Sequence, residues 1–329
     1  MRILVADKIA EEGLARLRQA NGLTVEIRTG LAPAELAACA GEYDGMIIRS
    51  GVQVTAEVLA RPGRLRVIAR AGVGVDNVDV VAATAAGVLV INTPDANTLS
   101  TAEHAIALMM SLLRHIPEAH AHVKGGGWNR SAFVGSQLAG RTLGIVGLGR
   151  VGHAVAQRAM AFQMRVIAHD PFISADTAME GRVKVYADLD EMIPHVDALT
   201  LHASLTDSSK HLMTAERLAK MKSSAVLINC ARGALIDEAA LADALNKGAL
   251  AGAAIDVFAE EPPKSSPLLT AKNILLTPHL GASTAEALTA VSTDAVDSLL
   301  DYLQHGTIRG AVNVAGLPTH LSDRDRAYL

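Results

Sequence analysis

TLGIVGLGRVGHAVAQRAMAFQMRVIAHD, residues 142–170, is the stretch of sequence from which the fold can be inferred. A short apolar run leads into Gly147, Gly149 and Gly152, an amphipathic run follows, and a second apolar run ends at Asp170. This order predicts a strand, a tight turn, a helix and a second strand.

Each of the three glycines has a separate role in a dinucleotide-binding turn. Gly147 permits the sharp turn, Gly149 lets the backbone approach a pyrophosphate, and Gly152 lets the helix pack closely on the strand. A glycine-rich turn that binds nothing is the alternative, but the flanking strand, helix and acid are all present. A carboxylate at Asp170 suits two ribose hydroxyls and repels the extra phosphate of NADP, so the predicted cofactor is NAD.

Length and charge limit the possible classes of protein. A chain of 329 residues fits two domains of about 150 residues each. The formal charge of −4 gives no basic field for nucleic acid or an anionic membrane, so neither is expected as a partner. Any phosphate must therefore be bound locally.

The two cysteines, Cys39 and Cys230, show no metal-ligand spacing, so we expect buried reduced thiols and no metal site. The N-terminus lacks the pattern of a signal peptide, and the most apolar window, 105–113, is too short to span a bilayer. A cytoplasmic location is the expectation.

The rest of the chain alternates short apolar runs with helical spacing, which predicts parallel sheets wrapped by helices. Apparent capping boxes at Ser100–Glu103 and Ser283–Glu286 each open a long helix, and we infer that the chain crosses between domains there. The predicted fold is therefore α/β, with two Rossmann-like doubly wound parallel-sheet domains. The substrate-binding domain is discontinuous, comprising 1–96 and 283–329, and the NAD-binding domain comprises 97–282.

Two arginines, Arg49 and Arg70, follow predicted strands of the first domain and stand beside glycines. Either one alone could be a solvated surface charge, but parallel strands end at one edge of a sheet, where ligands bind. We therefore predict that both contact an anionic ligand. The only tryptophan, Trp128, lies in an exposed excursion at 124–130 and predicts a subunit interface, with a homodimer as the expected assembly.

Three ionisable residues follow predicted strands after Asp170. Arg232 can hold a carboxylate with two parallel hydrogen bonds. His279 can remove a hydroxyl proton as an alcohol is oxidised, and Glu261 can fix the imidazole tautomer. Glu260 competes for the last role, and spacing alone does not choose between the two glutamates.

Six segments resemble signature segments of the D-isomer-specific 2-hydroxyacid dehydrogenases: 69–79, 92–104, 143–152, 228–241, 253–263 and 277–284. The resemblance implies that Arg232, Glu261 and His279 are catalytic. It favours Glu261 over Glu260 because the family has its glutamate directly before proline. The cofactor contacts expected from the glycine pattern and the resemblance are Val73, Gly147, Gly149, Arg150, Val151, Gly152, Asp170, Ala203, Cys230, Ala231, Arg232, Asp256, His279, Leu280, Gly281 and Ala282. The substrate contacts expected are Arg49, Ser50, Arg70, Val73, Gly74, Asn97 and, reaching a partner subunit, Arg130.

The positive charge around the expected site favours a substrate that carries both a carboxylate and a phosphate. Oxidation of 3-phospho-D-glycerate to 3-phosphohydroxypyruvate, in serine biosynthesis, is the expected reaction. A glyoxylate or hydroxypyruvate reductase is the alternative enzyme, and an NAD(H)-sensing corepressor is the alternative from another class. The family often has proline where this chain has Ser204, so we expect a less rigid loop there. Residues 317–329 resemble the point where longer members continue into regulatory domains, so the chain is either a short form or a truncated one.

Overall fold

The computed structural model describes residues 1–173 and 178–316. The chain divides into two compact units, one comprising Met1–Asn97 and Ser283–Leu329 and the other Thr98–Ala282. The C-terminal segment 317–329, where longer relatives were expected to continue, lies outside the described residues.

The described strands and helices alternate along the chain. The strands are β1 (Arg2–Val5), β2 (Thr24–Ile27), β3 (Gly45–Ile48), β4 (Val67–Arg70), β5 (Leu89–Ile91), β6 (Thr142–Val146), β7 (Arg165–His169), β8 (Lys184–Tyr186), β9 (Ala198–Leu201), β10 (Val226–Asn229), β11 (Gly252–Ile255) and β12 (Ile274–Leu276). The helices are α1 (Glu11–Gln19), α2 (Pro33–Cys39), α3 (Ala56–Leu59), α4 (Val80–Ala85), α5 (Thr98–Leu113), α6 (Ile116–Lys124), α7 (Arg150–Ala161), α8 (Leu189–Met192), α9 (Ala215–Lys220), α10 (Glu238–Asn246) and α11 (Ala285–His305).

The first unit has a five-stranded sheet in the order β2-β1-β3-β4-β5, with every pair parallel. One face of this sheet packs on α11, through residues such as Val291, Val296 and Leu299. The other face packs on α2, α3 and α4. Because both faces are covered, the central strands are apolar throughout rather than alternating.

The second unit has a seven-stranded parallel sheet in the order β12-β11-β10-β9-β6-β7-β8. One core contains α5 and α7, and the other contains α8, α9 and α10. The strand order reverses between β9 and β6, and an α/β sheet binds its ligands where the order reverses. The α/β class with two parallel sheets, inferred from the sequence, is confirmed.

The short apolar runs of the sequence form strands as expected, but β8 was not predicted. Lys184-Val-Tyr186 is a three-residue strand at the sheet edge and lacks an apolar run, because an edge strand is only partly buried. A short edge strand of this kind leaves no periodic signal in the sequence.

Both predicted capping boxes are wrong in detail, although the long helices begin close to them. Helix α5 starts at Thr98, so Ser100 lies in its first turn, and Glu103 pairs with Arg158 at 2.8 Å. Helix α11 is capped by Thr284, whose hydroxyl accepts a hydrogen bond from the N–H of Ala287. Both boxes were predicted from residue spacing alone, and spacing does not show which residue adopts the N-cap backbone conformation.

Cys39 and Cys230 are both buried free thiols, as expected. Within the described part of the chain, no helix combines the length and the apolar character needed to cross a bilayer.

The glycine turn joins β6 to α7 with little space to spare. A Cβ on Gly152 would lie 2.1 Å from the carbonyl oxygen of Gly147, so the helix approaches the turn too closely for any side chain. Gly147 has a φ of +88°, which L-residues rarely adopt, and its missing Cβ leaves room for the backbone of His202 and Ala203. Gly149 differs, because no atom lies within 4 Å of the place where its Cβ would be.

We expect Gly152→Ala to destabilise the second unit by about 1–3 kcal/mol, because the added methyl would collide with backbone that cannot move aside. Gly149→Ala is the matched control and should change stability by less than about 0.5 kcal/mol, since its methyl enters open space. Thermal and urea unfolding of the two variants would measure the difference, and equal stabilities would contradict the close packing.

Candidate active site

Three neighbouring strands of the second unit end close to the residues predicted to be catalytic. Arg232 follows β10, Glu261 lies in the loop after β11, and His279 lies just after β12. Because β12, β11 and β10 are adjacent and parallel, their carboxyl ends meet at one edge of the sheet. The three side chains therefore belong to one edge.

His279 and Glu261 are in direct contact. The imidazole Nδ1 lies 2.7 Å from the carboxylate Oε2 of Glu261, and the other oxygen of this carboxylate accepts a hydrogen bond from the N–H of Phe258 at 3.1 Å. The side chains of His279 and Glu261 remain 51% and 38% exposed. With Nδ1 bound to the carboxylate, Nε2 is the ring nitrogen left to face a ligand.

This contact shifts the pKa of each partner in opposite directions. The hydrogen bond with Glu261 raises the pKa of His279, while burial and the nearby Arg232 guanidinium lower it by less. Burial raises the pKa of Glu261, but the hydrogen bonds from His279 and the Phe258 N–H outweigh burial, so the net pKa is lowered. The pair therefore favours an imidazolium beside a carboxylate over a wider pH range than isolated side chains would.

Arg232 is held by its own backbone turn. The side-chain amide of Asn229 donates to the carbonyl of Arg232 at 2.9 Å and accepts from the N–H of Ala231 at 3.0 Å. Asn229 is completely buried. Asn229 was not predicted to be functional, although an asparagine that ends an otherwise apolar strand is a sequence signal that could have identified it.

Asp256 connects the turn that contains His279 to the end of β11. The carboxylate of Asp256 accepts hydrogen bonds from the N–H groups of Leu280 at 2.7 Å and Gly281 at 2.9 Å. Asp256, Leu280, Gly281 and Cys230 thus lie at the same strand edge as His279.

The glycine turn fits the dinucleotide that was predicted for it. The first hydrogen bond of α7 runs from the N–H of His153 to the carbonyl of Gly149, so the positive end of the helix dipole stands at the turn. The open space beside Gly149 is where a pyrophosphate would approach. Arg150 and Val151 begin the helix at this point.

Asp170 follows β7 beside the same turn. Its two oxygens accept hydrogen bonds from the N–H groups of Leu148 at 2.8 Å and Phe172 at 2.9 Å. Each carboxylate oxygen can accept a second hydrogen bond, so ribose hydroxyls can still bind. The carboxylate thus holds the turn and remains suitable for an NAD ribose.

The loop after β9 borders the turn, and its backbone at His202 and Ala203 packs against Gly147. Burial lowers the pKa of His202 to about 4, so this imidazole is neutral near pH 7. The hydroxyl of Ser209 donates to the carbonyl of Ser204 at 2.7 Å and accepts from the N–H of Thr206 at 2.7 Å. These hydrogen bonds constrain the loop without the proline that the family often has there.

In the first unit, the loops after β3 and β4 contain Arg49 and Arg70. Arg49 donates to the carbonyl of Lys8 at 3.4 Å, and its Nε is buried without a partner among the described residues. Gly72 has a φ of +144°, and the guanidinium of Arg70 occupies the place where its Cβ would be. Ser50, Val73 and Gly74 belong to these two loops, and Asn97 is the last residue of this part of the unit.

Asn77 joins the two arginine loops and was not predicted from the sequence. Its amide nitrogen donates to the carbonyls of Arg49 at 2.8 Å and Val52 at 2.6 Å. A second amide, that of Asn92, donates to the carbonyl of Val73 at 2.6 Å. These contacts join residues 19 to 28 positions apart, so no local sequence signal identifies the two asparagines.

Arg130 stands apart from these groups. It begins a short 3-10 turn, Arg130–Phe133, after the excursion that contains Trp128. Among the described residues, no hydrogen bond or ion pair joins Arg130 to Arg232, Glu261 or His279.

Comparison with known proteins is consistent with this arrangement. Residues 106–281, more than half of the chain, match the family model for the D-isomer specific 2-hydroxyacid dehydrogenase, NAD binding domain. A D-3-phosphoglycerate dehydrogenase from Methanocaldococcus jannaschii is 42% identical over 329 residues, which is all of this chain and 62% of that relative. This chain therefore spans about 60% of the length of the curated relatives it matches.

Two solved structures are similar in fold to this chain over nearly its full length. A crystal structure of a protein from Thermus thermophilus is 37% identical with a TM-score of 0.86, covering 95% of this chain and 100% of that one. A glyoxylate reductase from Paecilomyes thermophila is 30% identical, also with a TM-score of 0.86, covering 95% and 98%. The chain belongs to the D-isomer specific 2-hydroxyacid dehydrogenase family and contains the NAD-binding domain of that family.

Proposed function

We propose that this protein is an NAD-dependent D-2-hydroxyacid dehydrogenase that oxidises 3-phospho-D-glycerate to 3-phosphohydroxypyruvate. The observation that carries the proposal is the 2.7 Å contact between His279 and Glu261 at the sheet edge that also contains Arg232. The name of the Methanocaldococcus relative, at 42% identity over the whole chain, supports the choice of substrate.

In the proposed reaction, His279 acts through Nε2, because Nδ1 is bound to Glu261. Nε2 takes the proton of the substrate hydroxyl as the carbon–oxygen double bond forms. The glycine turn would hold the NAD, which would supply the acceptor for the hydride of the alcohol carbon. Glu261 stabilises the positive charge that develops on the imidazole. In the reverse direction, His279 returns the proton to the oxygen.

Arg232 would hold the substrate carboxylate by two parallel hydrogen bonds, which aligns the neighbouring carbon. Arg49, with its unpartnered buried Nε, and Arg70 would bind the phosphate, together with Ser50, Val73, Gly74 and Asn97. Cofactor contacts are proposed for the glycine turn, Arg150, Val151, Asp170, Ala203, Val73, the 230–232 segment, Asp256 and the 279–282 segment.

Free thiols at Cys39 and Cys230 support a cytoplasmic location.

A glyoxylate or hydroxypyruvate reductase is the second candidate. The observation that favours it is the similarity to the solved glyoxylate reductase, which is 30% identical with a TM-score of 0.86 over 95% of this chain.

The substrate is tested by measuring NAD-dependent turnover of 3-phospho-D-glycerate, D-glycerate, D-lactate and, in reverse, glyoxylate and hydroxypyruvate. We expect the highest kcat/KM for 3-phospho-D-glycerate. Arg49→Gln should raise the KM for 3-phospho-D-glycerate roughly 10- to 100-fold, because a charged hydrogen bond to the phosphate is lost. The KM for D-glycerate should change little. A preference for glyoxylate would favour the second candidate, and NAD binding without turnover of any acid would favour the corepressor.

The pH dependence should reveal the His279–Glu261 pair. Oxidation needs a neutral imidazole, so kcat/KM should rise with pH through a midpoint above the ordinary histidine value of about 6.5. Reduction needs the protonated imidazole, so its kcat/KM should fall as pH rises through the same range. In Glu261→Gln the hydrogen bond with the charged carboxylate is lost, so the midpoint should move to lower pH. An unchanged midpoint would show that Glu261 does not control the imidazole.

We further propose a homodimer formed through the 116–134 segment. Four large apolar side chains in this segment are more than half exposed, namely Ile116, Val123, Trp128 and Val134. Arg130 lies in the same segment and would be carried to the partner's site. Sedimentation should give a dimer for the wild type and a monomer for Trp128→Lys. Val81→Lys, at an equally exposed valine of the other unit, should remain dimeric.

A further inference from the structure

A buried carboxylate, that of Asp256, connects several elements of the second unit. Asp256 is completely inaccessible to solvent. Besides the N–H groups of Leu280 and Gly281, its carboxylate accepts a hydrogen bond from the hydroxyl of Thr277 at 2.5 Å. The imidazole Nε2 of His104, from α5, lies 3.2 Å from the same oxygen and 3.3 Å from the Thr277 hydroxyl. The carboxylate therefore accepts hydrogen bonds from the segment after β12 and lies beside an imidazole of α5.

The buried carboxylate is ionised. Burial raises the pKa of Asp256, but hydrogen bonds from His104, Thr277, Leu280 and Gly281 outweigh burial, so the net pKa is lowered. A buried charge is tolerated only while its hydrogen bonds are complete, because each lost donor leaves part of the charge unsolvated. Removing one donor should therefore move the groups that provide the others.

The backbone of His279 directly precedes two of those donors, the N–H groups of Leu280 and Gly281. His279 has a φ of +57°, a conformation that costs a non-glycine residue on the order of 1 kcal/mol and persists only when the surroundings hold it. Its N–H donates to the carbonyl of Asp256 at 2.8 Å, and the next two N–H groups donate to the carboxylate. The direction of the imidazole therefore depends on the carboxylate of Asp256.

We propose that His104 is a positioning residue for His279, acting through Asp256 and Thr277. His104 is the member of this network that comes from α5, whereas the others belong to the loops after β11 and β12. Its side chain is 19% exposed and lies in the second turn of a 16-residue helix, which holds the imidazole beside the carboxylate. This inference rests on the proposed function only for its kinetic consequence, because the geometry itself does not require turnover.

Three residues of this cluster are also potential metal ligands, because His104, Cys230 and Asp256 offer ligand atoms within 4.8 Å of one another. The protein's own donors account for the arrangement, since Thr277, Leu280 and Gly281 already donate three hydrogen bonds to the carboxylate of Asp256. With the imidazole of His104 beside the same carboxylate, the buried charge is satisfied by groups of the protein itself.

The test compares His104→Leu, which removes the donor, with His104→Gln, whose amide nitrogen can replace Nε2. In His104→Leu we expect kcat for 3-phospho-D-glycerate to fall at least tenfold, with KM and the Kd for NAD changed less than about threefold. The kinetic isotope effect with substrate deuterated at C2 should rise, because a misplaced base slows the chemical step. His104→Gln should restore kcat to within about threefold. His305→Leu, at an exposed histidine that ends α11, is the control and should behave as wild type.

Two outcomes would overturn the proposal. In the first, folded His104→Leu retains the wild-type kcat. In the second, kcat, NAD affinity and thermal midpoint fall together and His104→Gln rescues none of them, which would indicate a merely structural residue. If His104→Leu does not fold, His104→Asn replaces it, because its shorter amide does not reach Asp256.

A second measurement separates this inference from the proposed function. If the wild-type protein turns over none of the acids, the imidazole of His279 is followed by NMR titration in the wild type and in His104→Leu. A changed chemical shift and titration midpoint of His279, with His305→Leu unaltered, would support the positioning role without any enzymatic readout. Identical His279 titrations would reject it.

Discussion

All the strands in each sheet run parallel, and this constraint determines where chemistry can occur. Parallel pairing forces every connection to cross back to the opposite edge of the sheet, so the loops that follow the strands collect at a single edge. Arg232, Glu261 and His279 are separated by up to 47 residues in the chain, yet they follow three adjacent strands. The catalytic candidates are neighbours because of strand order and not because of sequence distance.

Residues that follow an apolar run were accessible from the sequence, whereas most of those that hold them in place were not. The glycine turn follows a fixed pattern, and charged residues after apolar runs indicate the sheet edge, so the fold class and the Arg232, Glu261 and His279 group could be inferred. Asn77 contacts carbonyls 25 and 28 positions away, and His104 lies beside Asp256, 152 positions away. Such contacts have no local periodicity, and the same is true of β8, which is short and only partly buried.

Two carboxylates of the second unit show how environment separates similar groups. Glu261 is partly exposed and paired with a titratable imidazole, so its charge is coupled to a proton that can leave. Asp256 is buried and satisfied by the His104 imidazole, the Thr277 hydroxyl and two backbone N–H groups, which keep it ionised. One carboxylate is suited to proton chemistry and the other to holding a backbone. Their roles follow from exposure and donors and not from residue type.

The amides of Asn77 and Asn92 hold the arginine loops of the first unit entirely through main-chain carbonyls. The contacts that these two amides make therefore do not depend on which side chains stand at positions 49 and 73. Evolution can exchange the residues that meet a substrate while the frame beneath them stays the same. The selectivity of such a protein for one acid over another can consequently diverge without a matching loss of stability.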